Sequence, residues 1–201
     1  MRMNGMRDRL ELKLRDDAPV IVRLLGEGDR DLVAGAYRRL TPEARYHRFW
    51  TRTGEMIGRE MLDRLVNQDP ASHLTWVALD PAREFPGVGG ASWWRNAADA
   101  SEAEISLMVL DDDQRRGIGT LLLAVVWISA FRAGVERLIG YCLTDNRRAA
   151  NWMRDCGGTG KWDGYKLVFT WDLANLDTLP DTPAAADLAA WMAALSPQLL
   201  D

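Results

Sequence analysis

The spacing of apolar residues along this chain switches several times between the two-residue period of a strand and the longer period of a helix. Alternation and β-branched runs predict strands over 19–25, 73–79, 87–95, 102–110 and 135–143, with a hairpin around 162 and 165–171, and only a short, frayed strand over 11–14. Helix-start residues and helical spacing predict helices over 29–40, from 41, and over 54–68, 117–133 and 146–156. We therefore expect an α/β (α+β) fold, with a central mixed, mostly antiparallel sheet of six to seven strands and helices on both faces.

Residues 175–201 are expected to form a C-terminal extension with an amphipathic helix. The segment 180–183 contains two prolines and indicates a linker and a helix start. One apolar stripe then follows at positions i, i+3, i+4 and i+7, made of Leu188, Trp191, Met192 and Leu195. We expect this stripe to cover the domain's own core. The alternative is a partner surface in a homodimer, because a stripe with a tryptophan is costly to leave in water.

A loop with two glycines joins the predicted strand to the continuously apolar helix that follows it. Its residues are Gln114-Arg115-Arg116-Gly117-Ile118-Gly119-Thr120. The free amides and the dipole at a helix start favour an anion, and glycine lets the backbone approach it closely. A P-loop is excluded because no lysine separates Gly119 from Thr120, and the dinucleotide fingerprint because Leu122 stands where its third glycine belongs.

The Gln/Arg-x-x-Gly-x-Gly pattern of this loop resembles the acyl-coenzyme-A loop of the GNAT acetyltransferase superfamily. The segment from Asn146 to Gly158 resembles that superfamily's Asn-x-x-Ala helix, and together the motifs cover about residues 73–171, the usual length of its core. A closer similarity, to the Arg-Tyr-x-Arg-Phe-Phe segment of bacterial protein-lysine acetyltransferases, lies in Arg45-Tyr46-His47-Arg48-Phe49-Trp50. The resemblance implies a GNAT domain over 1–174, followed by the extension.

The resemblance also implies acetyl-coenzyme A as co-substrate and indicates which residues bind it. The loop amides would hold the pyrophosphate, with the Thr120 hydroxyl beside them, and Arg115 and Arg116 would add charge for the ribose 3′-phosphate. Pantetheine contains two amides, so it is expected to pair with strand backbone as an added strand does. The expected cofactor residues are Met108, Val109, Leu110, Gln114, Arg115, Arg116, Gly117, Ile118, Gly119, Thr120 and Asn146.

Acetyl transfer to an amine requires the neutral amine, and a lysine of pKa ~10.4 is neutral in only about one molecule in two thousand at pH 7. A proton acceptor beside the thioester is therefore useful. Glu104 lies on the opposite strand face from the apolar set Ile105, Leu107 and Val109. The resemblance identifies Glu104 as the general base. Its position alone equally fits a solvated carboxylate or a partner for Arg95.

The leaving thiolate has no obvious proton donor. Many superfamily members place a tyrosine six residues after the helix asparagine, and this chain has Trp152 there. A thiol pKa of ~8.5 makes the thiolate a good leaving group even without an acid. Tyr141 and Tyr165 are alternative proton donors. Either residue also fits an ordinary tyrosine of the sheet, with its hydroxyl in a local hydrogen bond.

Composition and charge narrow the function classes. The net charge of −4 argues against a general nucleic-acid binder, and no apolar stretch approaches the ~20 residues that span a membrane. Cys142 and Cys156 lack metal-ligand spacing and indicate reduced cysteines of a cytoplasmic protein. Consecutive side chains of Asp111-Asp112-Asp113 point in different directions ahead of a helix, so we expect helix capping there and no metal site.

Three functions stay open at this point. The first is acetyl-coenzyme-A-dependent N-acetylation of a protein lysine, and the second is the same transfer to a small amine such as a polyamine, aminoglycoside or amino acid. The third is a non-catalytic acyl-coenzyme-A binding module, which Trp152 keeps open. A small polycation would require clustered carboxylates, and only Glu102 and Glu104 stand near the expected cleft.

Overall fold

A computed structural model describes residues 7–200 of the chain. Residues 1–6, at the start of the predicted domain 1–174, and residue 201, at the end of the predicted extension 175–201, lie outside that description. The strands are β1 Arg9–Lys13, β2 Pro19–Leu24, β3 His73–Leu79, β4 Gly87–Arg95, β5 Glu102–Val109, β6 Arg137–Leu143, β7 Thr159–Asp163 and β8 Lys166–Asp172. The helices are α1 Arg30–Arg39, α2 Pro42–Phe49, α3 Arg59–Val66, α4 Ile118–Arg132, α5 Arg147–Asp155 and α6 Pro183–Leu200.

The described strands form one sheet of eight, in the order β1-β2-β3-β4-β5-β6-β8-β7, where six to seven were expected. The difference lies at the sheet's first edge, where the short β1 pairs with β2 along its whole length, from Arg9↔Arg23 to Lys13↔Pro19. Only β5 and β6 run parallel; the other neighbours are antiparallel. The predicted class and the mixed, mostly antiparallel sheet are confirmed.

α4 is buried on nearly all sides because the sheet covers one side and α6 covers another. The residues from Ile118 to Ala130 are buried with few exceptions, and a helix that is apolar all round is typical of such a position. On α6, Leu188, Leu195 and Leu199 are fully buried in the same core. The predicted stripe therefore packs within this chain, whereas the division at residue 175 and a homodimer stay predictions. Within residues 7–200, no helix combines the length and apolarity needed to cross a membrane.

The helices of the first half of the chain, α1 to α3, lie on the opposite face of the sheet from α4. Val77 and Leu79 of β3 pack with Leu62 and Leu65 of α3 on that face. The predicted helix over 54–68 is shorter in the structure because Gly58 is its N-cap and Asn67 its C-cap. Ala44 and Phe49 of α2 belong to the same apolar cluster as Met108 of β5, so α2 lies beside β5 on this face.

One buried hydroxyl between the sheet and α4 accepts from two indoles. Trp76 Nε1 and Trp93 Nε1 donate to Ser129 Oγ at 3.3 and 3.2 Å, and the hydroxyl donates to the Val126 carbonyl at 3.1 Å. All three side chains are fully buried. Because a buried donor without an acceptor costs about 1–3 kcal/mol, Ser129 stabilises the packing of β3 and β4 on α4.

Ser129→Ala is expected to lower the free energy of unfolding by about 2–4 kcal/mol, because two buried indole N–H groups lose their acceptor together. Urea unfolding followed by tryptophan fluorescence measures this loss. Ser196→Ala is the matched control, since its hydroxyl donates to the Met192 carbonyl on the partly exposed α6; its change should stay within about 0.5 kcal/mol. Equally small losses for both variants would contradict the assigned role of Ser129.

Candidate active site

A groove of about 1300 Å³ runs along β5. Glu104 lies near the start of this strand, and the loop 114–120, here called the glycine loop, follows its end. Residues of α2 and the first turn of α5 also line the groove. The groove therefore connects the carboxylate to the glycine loop.

β5 and β6 separate beside the groove. They pair only from Glu102↔Arg137 to Ile105↔Gly140. Beyond that point β5 stays paired with β4, and β6 stays paired with β8. Within the described chain, the β6-facing edge of residues 106–109 thus has no strand partner. Such an edge suits an extended ligand that carries amide groups.

The glycine loop leaves its backbone amides free after Gln114, whose amide donates to the Asp111 carbonyl. Among residues 7–200, the first amide of α4 that donates to a main-chain carbonyl is that of Leu121, to Gly117 at 3.0 Å, and none from Arg115 to Thr120 does so. Arg115 and Gly117 both have left-handed backbone conformations, with φ of 66° and 84°. Turns of this kind direct successive N–H groups into a concave anion site, at the positive end of the α4 dipole.

A buried carboxylate anchors the chain just before the glycine loop. Asp113 is 1% exposed and accepts hydrogen bonds from the Arg83 guanidinium at 2.8 and 2.7 Å and from Arg116 at 2.8 Å. The hydrogen bonds to Asp113 raise the pKa of Arg83. This ion-pair network fixes the position from which the loop departs.

The three consecutive aspartates do not cap α4, so the capping prediction is wrong. They form a short 3-10 turn, Asp111–Asp113. α4 begins later, at Ile118, and its N-cap is Gly117, which provides no side-chain hydrogen bond. The first turn of α4 therefore lacks a protein cap and keeps its amides available to an anion.

Most of the predicted cofactor residues lie along the groove, and three side chains lie elsewhere. Those in the lining are Met108, Val109, Gln114, Arg115, Gly117, Gly119, Thr120 and Asn146. Leu110 and Ile118 are buried in the core. The Arg116 guanidinium is bound to Asp113 and, at 3.1 Å, to Asp16. Of the two arginines proposed for the 3′-phosphate, Arg115 is the one whose exposed side chain lies in the lining.

Two of the predicted polar residues already have protein partners. Thr120 Oγ1 accepts from Trp152 Nε1 at 3.4 Å and the residue is 5% exposed. Asn146 is the N-cap of α5, where its side-chain oxygen accepts from the Ala149 amide at 3.1 Å. The Thr120 hydroxyl is thus engaged beneath the loop, and Asn146 retains its side-chain nitrogen as a donor.

Glu104 is an exposed carboxylate within the groove. Within residues 7–200 it accepts no hydrogen bond and forms no ion pair. Arg95, the competing partner, donates instead to the main-chain carbonyls of Ala71, Ala100 and Ala133. Glu104 is therefore free to accept a proton from a group that enters the groove.

The aromatic residues considered for the leaving-group step differ in whether they line the groove. Trp152 lies in the lining, and a Cβ added at Gly119 would lie 3.6 Å from its ring. Tyr141 also lines the groove, with its ring edge-on to Trp50 at a centroid distance of 6.2 Å. Tyr165 is 67% exposed and lies outside the lining. Of the two tyrosines considered as proton donors, Tyr141 is the one that meets the groove.

Sequence reasoning missed lining residues that come from distant segments. Arg15 of the β1–β2 turn and Asp187 of α6 form an ion pair at the glycine-loop end. Arg48 and Trp50, at the end of α2, lie in the lining as well. The only signal for any of them was the motif similarity of residues 45–50, since hydrophobic periodicity does not report contacts between distant segments.

Both cysteines are buried away from solvent. Burial raises the pKa of Cys156 to about 12, against a smaller lowering by a hydrogen bond with Thr120, and burial also raises the pKa of Cys142. We expect neither thiol to react with a maleimide in the folded protein near neutral pH, because the thiolate is the reactive species. Mass spectrometry should find two adducts only after denaturation. Rapid native labelling of Cys156 would contradict its burial.

The Acetyltransferase (GNAT) domain family matches this chain over residues 20–159. Acetyltransferase Pat from Mycolicibacterium smegmatis is 30% identical over 161 residues, which make up 80% of this chain and 47% of that protein. The chain thus spans about half the length of this curated relative.

Solved structures share the fold at lower sequence identity. The GNAT domain of S. lividans PAT has a TM-score of 0.75 and 22% identity, covering 82% of this chain and 96% of that chain. Spermidine N-acetyltransferase from Vibrio cholerae, in complex with CoA and spermine, has a TM-score of 0.61 and 13% identity, covering 77% of this chain and 96% of that chain. Similarity at this level concerns the fold alone.

Proposed function

Because the chain belongs to the acetyltransferase (GNAT) domain family, we propose that it transfers an acetyl group from acetyl-coenzyme A to a primary amine, and that this amine is a lysine of a protein. The observation that carries the proposal is the run of free amides from Arg115 to Thr120, in a groove that also contains the Glu104 carboxylate. A diphosphate site and a proton acceptor are the two elements that this reaction needs from the protein.

The coenzyme is proposed to bind along β5. Its diphosphate would accept hydrogen bonds from the glycine-loop amides, and its pantetheine amides would pair with the open edge of residues 106–109. From Glu104 to Leu110 an extended strand covers about 20 Å. An arm bound in this way brings the thioester from the loop towards Glu104.

Glu104 is proposed to accept the proton of the attacking amine, directly or through a water. The amine nitrogen forms a bond to the thioester carbonyl carbon, and the carbon–sulfur bond breaks. The thiolate leaves with the electron pair and takes a proton from solvent or from the Tyr141 hydroxyl. Because a thiol has a pKa of ~8.5, this departure does not depend on an acid.

A protein lysine is supported over a small polycation by the charges near Glu104. Glu102, the second carboxylate expected there, is bound by the Arg137 guanidinium at 3.0 and 3.1 Å. Glu102 therefore does not join Glu104 in a free carboxylate pair of the kind that would attract a polyamine. The similarity to acetyltransferase Pat supports the same choice. Trp152, in the position of a superfamily tyrosine, is the observation that favours the alternative of a non-catalytic binding module.

The test is thiol release from acetyl-coenzyme A, measured with lysine peptides, polyamines, aminoglycosides and free amino acids as acceptors. We expect release with peptides and an added acetyl group on the lysine by mass spectrometry. Release with a small amine alone would support the second function. Coenzyme binding without release for any acceptor would support the module.

A further inference from the structure

Two opposite charges in the groove lack partners. Arg48, in the last turn of α2, and Glu104 both line it. Within residues 7–200 neither side chain makes a hydrogen bond or an ion pair. The Arg48 guanidinium only lies over the Phe49 ring, with its Cζ 5.0 Å from the ring centroid. An arginine has five N–H donors, so an unsatisfied one facing a groove indicates a missing acceptor.

Arg48 and Glu104 are close enough to influence each other electrostatically, yet no ion pair joins them. Among residues 7–200, their nitrogen and oxygen atoms do not come within the 4.0 Å of an ion pair. Burial lowers the pKa of the Arg48 guanidinium, and the nearby Glu104 charge opposes that effect. Arg48 is thus partly desolvated without a compensating contact, and such a charge gains most from an anion that enters the groove.

The neighbouring charged groups either have a charged partner or are exposed to solvent. His47 Nε2 lies 3.4 Å from Asp145. Lys166 Nζ lies 3.4 Å from Asp163 and 4.6 Å from the centre of the Tyr141 ring. Glu43 is exposed in the first turn of α2, and Arg147 and Arg148 are exposed in the first turn of α5. Among the described residues, Arg48 is therefore the half-buried cation of the groove that has no hydrogen bond or ion pair, and Glu104 is the unpaired carboxylate on β5.

We infer that Arg48 is a specificity-determining residue that binds a carboxylate carried by the acceptor close to its reacting amine, namely an Asp or Glu side chain next to the acceptor lysine. This inference rests on the proposed function. Glu104 would meet the amine while the guanidinium meets the carboxylate, so the two protein charges match the two substrate charges. Trp50 and Tyr141, edge-on to each other, provide an apolar wall for the lysine's carbon chain.

The experiment compares kcat/KM for three peptides that differ only at the residue next to the lysine, which is Glu, Gln or Lys. The wild-type protein should prefer the Glu peptide over the Lys peptide by about 10- to 100-fold, as expected for a hydrogen-bonded charge pair. Arg48→Glu should reverse this order, and Arg48→Gln should remove the discrimination. Arg52→Glu is the control, because Arg52 is exposed and lies outside the groove lining; it should keep the wild-type order.

The outcomes separate this inference from the function on which it rests. Equal rates for the three peptides, or an equal loss for all three in Arg48→Gln, would overturn the role of Arg48 and leave peptide acetylation standing. Acetylation of free amino acids or polyamines without any peptide would overturn both. Circular dichroism and acetyl-coenzyme A binding show whether each variant is folded. If Arg48→Glu does not fold, Arg48→Gln still tests the inference.

Discussion

Glu104→Gln is expected to lower kcat by about 10²–10⁴-fold, because the amide cannot accept the proton of the attacking amine. Glutamine has the same size, and Glu104 has no hydrogen-bond partner within residues 7–200, so the fold should not change. The dissociation constant of acetyl-coenzyme A should also be unchanged, since the glycine loop lies at the other end of β5. Steady-state thiol release and calorimetric binding measure the two quantities separately.

Glu102→Gln is the control for this result. It removes a carboxylate from the same strand, but Glu102 pairs with Arg137 and lies outside the groove lining. Its turnover should stay near that of the wild-type protein. If Glu104→Gln retained the wild-type rate as well, Glu104 would not be the base.

Gly119→Asp is expected to weaken acetyl-coenzyme A binding by at least about 100-fold. A carboxylate in the first turn of α4 would lie beside the diphosphate, and two like charges about 4 Å apart repel by ~4 kcal/mol at an effective dielectric constant of 20. The same carboxylate faces the positive end of the helix dipole, so the free protein should keep its stability or gain ~0.3–1 kcal/mol. Weaker coenzyme binding together with unchanged or higher stability distinguishes charge repulsion of the diphosphate from a damaged fold.

Gly119→Asn is the matched neutral variant. A Cβ at this position would meet Trp152 and Val109 at 3.6 and 3.8 Å, which are ordinary contact distances. Asparagine should therefore fold normally and bind more tightly than aspartate, although the added side chain crowds the diphosphate. Calorimetry with coenzyme A and thermal unfolding without it provide the two readouts. Equal affinity in the Asp and Asn variants would argue against a diphosphate at this loop.

The sequence was sufficient to predict a mixed, mostly antiparallel sheet, the glycine loop and the strand face on which Glu104 lies. Each of these depends on local order: alternation over 102–110, two glycines at a helix start, and a polar residue opposite the apolar face. α4 was predicted for the same reason, since its apolar run is continuous. Such features can be read from neighbouring residues without knowledge of the rest of the chain.

The remaining features of the site depend on contacts between distant segments. The separation of β5 from β6 after Gly140 depends on strand register, which the pattern of β6 does not specify. The buried position of Asp113 depends on Arg83, thirty residues earlier. The proposed role of Arg48 depends on the fold, which places the end of α2 and β5 along the same groove. Leu110, Ile118 and Arg116 show the converse, since all three are local to the site but their side chains contact the core or other charges.

The central claim is that the backbone amides of the glycine loop bind the coenzyme diphosphate. The most direct test is an amide nitrogen–proton NMR spectrum of glycine-labelled protein, titrated with acetyl-coenzyme A. Gly117 and Gly119 should shift strongly on saturation, whereas Gly134 and Gly164, which have a positive φ as Gly117 does but lie outside the groove lining, should not. Unmoved Gly117 and Gly119 resonances in a protein saturated with ligand would contradict the claim.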